Sequence, residues 1–389
     1  MKSIESVLDR AVADGSVPGL VAAADSSAGF RGVWNAGTAD AAGRQPMSAN
    51  AIFRVASMAK LVTAVAVMTL VDNGKLDLDA EVAAFLPEYG DLVIVEGFDA
   101  GGPRVRKPSR SATIRELMAH TAGLAYNTFD TVIDQYERLT GAPNIGTGRR
   151  EALKLPLVAD PGQRVDYGTG FDWAGLVVEA ITGRTLDIYC EQEIFAPLGM
   201  RMTSMHRPEE RGLSCTPVLA AADDGGFTGA SNDFPLTPEF YFGGGCLYTT
   251  AEDYLKLQME LAAPLAQRAG LLTQASIDEI FSNQSGPLDI PVMRSARPLE
   301  SHDVYIGEGW KWGLGVALNP SDVPQRRRAG SGGWAGIFNT YFWIDPASGI
   351  AACLFMQFLP FFDPNAIRLY NQFEAAVYAS LPSTPGFLA

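Results

Sequence analysis

Arg54-Val55-Ala56-Ser57-Met58-Ala59-Lys60-Leu61-Val62-Thr63-Ala64-Val65-Ala66-Val67-Met68 is the stretch around which the fold has to be built. From Leu61 to Val71 almost every residue is apolar, whichever helical face is counted. A helix that is hydrophobic all round is a buried one. The run is too short to span a bilayer. It stops at Asp72-Asn73-Gly74, and Gly74 suits a left-handed C-cap. The expectation is a central buried helix that begins near Ser57 and leaves the core at Gly74.

Ser57-x-x-Lys60 stands at the head of that helix. Residues i and i+3 share a face, one turn apart. A serine hydroxyl becomes a strong nucleophile when a base takes its proton. A lysine amine does this only when neutral, and burial and a helix N-terminus both disfavour the ammonium form. The same N-terminus offers free backbone N–H groups, that of Ser57 among them, to a developing oxyanion. Ser-x-x-Lys is a short pattern that arises by chance, so its partners elsewhere in the chain decide its meaning.

Composition narrows the classes. A chain of 389 residues exceeds the roughly 250–300 at which single cores stop growing, so two lobes are expected. Hydrophobic residues at 47% and charged residues at 19% describe an ordered globular protein. A net charge of −14 argues against nucleic acid or an anionic membrane as partner. The first dozen residues are charged and amphipathic with no apolar h-region, and a cytoplasmic protein is expected. Cys190, Cys215, Cys246 and Cys353 are scattered without a C-x-x-C, and read as buried free thiols in a reducing compartment. His120, His206 and His302 form no H-E-x-x-H, so no metal and no other cofactor is expected. The oligomeric state, a homo-oligomer included, stays open.

Along the chain, Ile4, Val7, Leu8 and Ala11 follow helical spacing, with Gly15 ending the helix. Leu20–Ala24 and Phe30–Asn35 form a hairpin pattern. From Leu76 to Phe234 strand signals fade. Phe98–Ser111 reads as a loop, Thr113-x-x-Glu116 as a capping box, and Trp173–Ile181 and Leu186–Phe195 as helices. Thr249-x-x-Glu252 is a second capping box, for a helix through Leu261. Phe338–Ile344 and Ile350–Met356 alternate and form another hairpin. Asp363 and Pro364 start a last helix with Ile367, Tyr370, Phe373 and Val377 inward. The fold class expected is α+β: an antiparallel sheet flanked by helices, with an inserted helical lobe. Residues 1–75 and 240–389 form the discontinuous α/β lobe, residues 76–239 the helical one, with the active site in the cleft between them.

Two further stretches bear on chemistry. Asp166-Tyr167-Gly168-Thr169-Gly170-Phe171-Asp172-Trp173 is a turn before a helix, where a phenol beside a cationic lysine can shuttle a proton. Most tyrosines are half-buried packing residues, which is the competing reading of Tyr167. Gly332-Gly333-Trp334-Ala335-Gly336-Ile337 precedes a strand, and its small residues let a substrate approach a strand edge, though an ordinary glycine-rich turn reads the same. G-x-S-x-G, the nucleophile elbow of α/β hydrolases, does not occur.

Together these stretches resemble the serine β-lactamase and penicillin-binding-protein group, most of all its esterase branch (family VIII carboxylesterases) and the fungal acyltransferase of the lovastatin pathway. Ser57-x-x-Lys60 matches the group's first motif. Leu117-Met118-Ala119-His120-Thr121-Ala122-Gly123-Leu124 is similar to its L-x-x-H-T-S-G-L signature, and Pro161-Gly162 through Tyr167 to Leu176 to its second motif. Ala196-Pro197-Leu198-Gly199-Met200 and Gly333-Trp334-Ala335-Gly336 complete the order. The resemblance implies a β-lactamase/transpeptidase-like fold and a serine carboxylesterase. Ser57 would be the nucleophile, Lys60 and Tyr167 its coupled base, and the N–H groups of Ser57 and Ile337 the oxyanion hole. Trp334 and Gly336 would line the substrate cleft with Thr169. An aromatic supply (Tyr126, Phe240, Tyr241, Trp310) suggests an apolar or aromatic substrate part, although such residues are as often core. His120 would hold a loop. Thr169 stands where β-lactamases carry Asn, and Trp334 stands for the lysine of Lys-Thr-Gly. Both departures favour neutral small to medium esters over β-lactams. A β-lactamase or D-amino-acid amidase is the alternative, and a non-catalytic binding module trails it. The partner expected is a small ester, cleaved or transesterified.

Overall fold

The computed structural model describes residues 3–222, 225–230, 234–235, 237–262 and 270–381. A seven-stranded antiparallel sheet takes its strands from both ends of the chain. These are β1 (Gly19–Ser26), β2 (Arg31–Gly37), β3 (Lys311–Trp312), β4 (Ala317–Leu318), β5 (Gly332–Gly336), β6 (Thr340–Asp345) and β7 (Ile350–Phe355). Their order across the sheet is β2-β1-β7-β6-β5-β4-β3. Val21 stands opposite Phe355 and Ser26 opposite Ile350.

Five helices set the layers: α1 (Ile4–Ala13), α2 (Ala59–Asp72), α3 (Gly170–Thr182), α4 (Ala251–Ala262) and α5 (Pro364–Ser380). On one face α4 lies against the sheet, with Tyr254 edge-on to Phe342 and the Gln258 amide donating to the carbonyls of Trp343 and Ala352. On the other face α5 packs Phe373 against Trp343 and Trp34. Every residue of β6 and β7 is therefore buried, which corrects the alternation expected there. A strand covered on both faces needs apolar residues at every position, as these have.

α2 is the buried central helix: Ala59 to Leu70 are all buried, Lys60 included. Gly74 follows at φ +63°. Asp72 ties the end of α2 to the helix Gln274–Ile280, accepting from Thr273 N and the Thr273 and Ser276 hydroxyls. α3 ends on Gly183 in the left-handed conformation, and Asp363 caps α5 through Asn365 N and Ala366 N.

The segment between the sheet's two portions is rich in short helices. Thr113 and Glu116 form the expected capping box. Ile94–Asp99 and Gly102–Arg106 form a hairpin where a loop was expected beyond Phe98. Pro103 misled that reading; in a two-stranded ribbon each strand has an open edge, where proline costs no ladder bond. The second capping box shifts by one residue. Thr250, not Thr249, accepts from Asp253 N, because Thr249 pairs with Phe53 and its hydroxyl meets Thr203. In sequence Arg326-Arg327-Arg328 reads as a charge run, usually a solvated face; in the structure Arg328 is exposed and Arg326 half-buried, but the middle residue is not solvated. Arg327 is buried and paired with Glu374 at 2.6 Å, with Tyr370 as a second partner. No disulfide joins the four cysteines; Cys190, Cys246 and Cys353 are buried and Cys215 is half-buried. Among the described residues, no helix is long and apolar enough to cross a membrane.

Candidate active site

Ser57 lies in a tight turn, Ala56–Met58, that runs into α2. Ala56 is held at φ +43°, an uncommon conformation for a residue with a Cβ, costing on the order of 1–3 kcal/mol. The surroundings enforce it. Val55 N donates to Leu247 O, Met58 N to Val55 O, and the Tyr254 hydroxyl to Met58 O at 2.9 Å. From behind, Gly336 of β5 closes so tightly that a Cβ there would stand 2.1 Å from Val55 O.

Lys60 Nζ has three hydrogen-bond partners among the described residues: Ser57 Oγ at 3.1 Å, Tyr126 Oη at 3.2 Å and Gly244 O at 2.7 Å. A neutral amine has two N–H donors and one lone pair. Three partners suit the ammonium's three donors, and two of them are hydroxyls that can also donate, so the neutral amine can turn its lone pair to the Ser57 proton. Asp172 closes the ring. Its Oδ1 accepts from Gly244 N at 2.8 Å and its Oδ2 accepts from the Tyr126 hydroxyl at 3.3 Å. Burial pushes the Asp172 carboxyl up to about 6, against the opposing pull of Lys60 and its two hydrogen bonds. Burial and the Asp172 charge hold the Tyr126 phenol well above its ordinary range.

The Tyr167 ring lies beside that of Tyr126, their centres 5.3 Å apart. Lys60 Nζ lies 4.8 Å from the centre of its ring, while its hydroxyl accepts from Trp334 Nε1 at 2.9 Å. Thus Tyr126 occupies the hydrogen-bonding place beside Lys60 that the sequence suggested for Tyr167. The backbone joins the two tyrosines, since Tyr126 N donates to Tyr167 O. His120 packs against Tyr167 and Trp312, and its Nδ1 accepts a long 3.4 Å bond from Gly168 N. Burial, and then the nearby Lys60 charge, keep its imidazole far below its ordinary pKa, so it is neutral and anchors the loop.

Above Ser57 opens a cavity of about 240 Å³. Ser57, Tyr126, Tyr167, Gly244, Trp334 and Ile337 all line it. Phe234, Phe242 and Phe338 supply an apolar wall, and Asn127, Arg297 and Glu300 a polar one. Arg297 is held by Asp134, Glu137 and Glu300.

Three sequence-expected binding residues lie elsewhere. Gly336 faces Val55 and serves close packing, not substrate. Thr169 is buried at the start of α3, its carbonyl accepting from Asp172 N and Trp173 N. Tyr241 points away, its hydroxyl 2.9 Å from His206 Nδ1, with His206 in turn on Asp187. Phe240 is likewise absent from the lining. Sequence reasoning missed Asp172 and the Gly244 carbonyl. The signal for Asp172 was an acid in the first turn of a helix whose next six residues are all apolar, which burial makes expensive without partners.

The chain is 32% identical over 350 residues to the monacolin J acid methylbutanoyltransferase of Aspergillus terreus, covering 86% of this chain and 83% of that one. It is 29% identical over 296 residues to the lovastatin esterase of Penicillium rubens, covering 73% of each. Unliganded simvastatin synthase (LovD) from Aspergillus terreus superposes with a TM-score of 0.84 at 27% identity, over 98% of both chains. A profile of the beta-lactamase family matches residues 4–377, and with sheet, helices and the Ser57–Lys60 pair all in place, the chain belongs to that family.

Proposed function

We propose that this protein is a cofactor-free serine esterase and acyltransferase, working through an acyl-enzyme on Ser57. The observation that carries the reading is Ser57 Oγ set 3.1 Å from the Lys60 amine at the floor of a largely aromatic cavity. Ser57 Oγ attacks the ester carbonyl carbon as its proton passes to the Lys60 lone pair. The carbonyl oxygen gains the charge and is met by the N–H groups of Ser57 and Ile337. The tetrahedral adduct collapses, the carbon–oxygen bond to the alcohol breaks, and the departing oxygen takes the proton of Tyr167. Trp334 supports that last step: its N–H occupies a lone pair on the Tyr167 oxygen, leaving the phenol's own proton free to be given. Tyr167 regains a proton from Lys60; the amine stands 4.8 Å from the centre of its ring, so a solvent or substrate hydroxyl relays it. Water or a second alcohol then attacks the acyl-enzyme by the same route in reverse. The two named relatives divide between these outcomes, one transferring an acyl group and one called an esterase.

Intact-mass spectrometry after brief mixing with p-nitrophenyl butyrate tests the reading. A butyryl adduct mapping to Ser57, with a burst of nitrophenol that Ser57→Ala abolishes, is the expected result. Undiminished turnover by Ser57→Ala would refute it.

A further inference from the structure

Between β5 and α5 lies a second cavity, of about 380 Å³, that the mechanism does not use. Trp334, Ala335 and Phe361 are walls common to it and the cleft, but its charged groups are its own. Successive strand residues face opposite ways. Trp334 turns its indole to Tyr167, whereas the Tyr341 ring, cross-strand from Ala335, meets Tyr370 of α5.

The charged groups are Arg326, Arg327 and Glu374, and they do not balance. Two guanidinium groups meet one carboxylate, and the other residues lining the cavity carry no charge. Arg327 is only 5% exposed. Its Nε donates to Glu374 Oε1 at 2.6 Å and its Nη2 to the Tyr370 hydroxyl at 2.8 Å, while its Nη1 has no hydrogen-bond partner among the described residues. That Nη1 lies against β5 at Gly333, where a Cβ would stand 3.3 Å from it, and Gly333 itself lines the cavity. Arg326 is half-buried; its Nη1 donates to Asn371 Oδ1 at 2.8 Å and to Glu374 Oε2 at 3.3 Å, which leaves Nε and Nη2 for another acceptor. A guanidinium held away from water with donors unused is costly until an acceptor arrives. Around this floor stand the rings of Trp310, Tyr341, Phe362 and Tyr370, with Tyr305, 54% exposed, at the rim. A cavity of about 150 Å³ takes one benzene, so this one has room for a ring and a short chain beside it.

We propose that this cavity is a binding site, distinct from the Ser57 cleft, for a monocarboxylate with an aromatic body. The carboxylate accepts from Arg327 Nη1 and from the unused N–H groups of Arg326, and it cancels the surplus positive charge. Such charge-assisted bonds from guanidinium to carboxylate are the strong kind. The ring of the ligand lies among the aromatic walls. A neutral ligand leaves the charge uncancelled, and a cation adds to it.

Isothermal titration of 3-phenylpropionate tests this, with 3-phenylpropanamide and acetate as its uncharged and ringless counterparts. The acid is expected to bind with a Kd below about 1 mM, and both counterparts at least tenfold more weakly. Arg326→Gln takes one guanidinium from the floor, spares the buried Arg327–Glu374 pair and touches no residue that lines the cleft. It should weaken the acid at least tenfold and the amide less than twofold, with turnover of p-nitrophenyl butyrate held within twofold. Ile367→Trp, which brings an indole from α5 into the cavity, should abolish binding of the acid. If Ile367→Trp melts early, Arg326→Gln decides alone. Absence of saturable heat with the wild type, equal binding of acid and amide, or a Kd for the acid that ignores Arg326→Gln overturns the proposal.

Discussion

Replacing Asp172 with asparagine removes a buried charge while keeping the side chain's shape. Asp172 is fully buried, and its carboxyl is shifted from 3.8 to about 6. A carboxyl with a higher pKa folded than unfolded binds its proton more tightly when folded. Its contribution to stability is full below pH 4 and declines as pH rises through 6, because the unfolded chain ionises first. The shift of about two units costs about 3 kcal/mol above pH 7, at about 1.4 kcal/mol per unit. Asparagine never ionises, and its oxygen still accepts from Gly244 N. Asp172→Asn should therefore outlast the wild type by about 1 kcal/mol at pH 4.5 and about 3 kcal/mol at pH 7.5. Urea unfolding at both pH values measures this, read as the change in the difference so that any fixed effect of the amide cancels. A difference that is the same at both pH values, or that shrinks as pH rises, would refute the reasoning. The variant should also lose activity, because its amide donates to the Tyr126 oxygen where the carboxylate accepted from it. The charge is then kept at a cost in stability, for the sake of the ring around Lys60.

Tyr167→Phe should lower kcat on ethyl butyrate, whose alkoxide needs a proton to leave, about 100-fold or more with little change in KM, as loss of a proton donor does. Tyr126→Phe should cost less, because Lys60 keeps Ser57 and Gly244; a larger loss for Tyr126→Phe would exchange the two roles. Glu374→Ala strands the buried Arg327 and should destabilise the protein by about 3–5 kcal/mol in urea, while a loss under 1 kcal/mol would show that water reaches the pair.

The central helix was legible because its message is local: an unbroken apolar run ended by Gly74 has one reading. Ser57 and Lys60 were legible for the same reason, being one turn apart. Tyr126 and Gly244 were not, because their approach to Lys60 depends on two loops 66 and 184 residues away in sequence. The helix Thr131–Thr140 went unread although Asp130 caps it, Gly141 ends it and Val132, Ile133, Tyr136 and Leu139 keep helical spacing; the residues it buries include Asp134 and Glu137, which read as a solvated face. Arg327 looked like part of a solvated run because its partner, Glu374, lies 47 residues on. Thr169 and Gly336 were placed in the cleft by their positions in the two motifs around Tyr167 and Trp334. Neighbours on a helix start or a strand point different ways, and both proved to be packing residues.

The sheet's make-up has a consequence for how the chain comes to be folded. β1 has two neighbours, β2 from residues 31–37 and β7 from residues 350–355. The first hairpin leaves the ribosome early and then waits for its other partner while more than three hundred residues are added. At about 5–20 residues per second that is roughly 15–60 s. Throughout that time Leu20 to Ala24, all buried in the finished protein, present an apolar edge with unpaired N–H and C=O groups. The central helix lacks its sheet for as long. Pairing across such a sequence distance is slow even after release. Nascent chains of this protein are therefore exposed to mispairing with one another, and rely for shelter on whatever binds extended apolar segments.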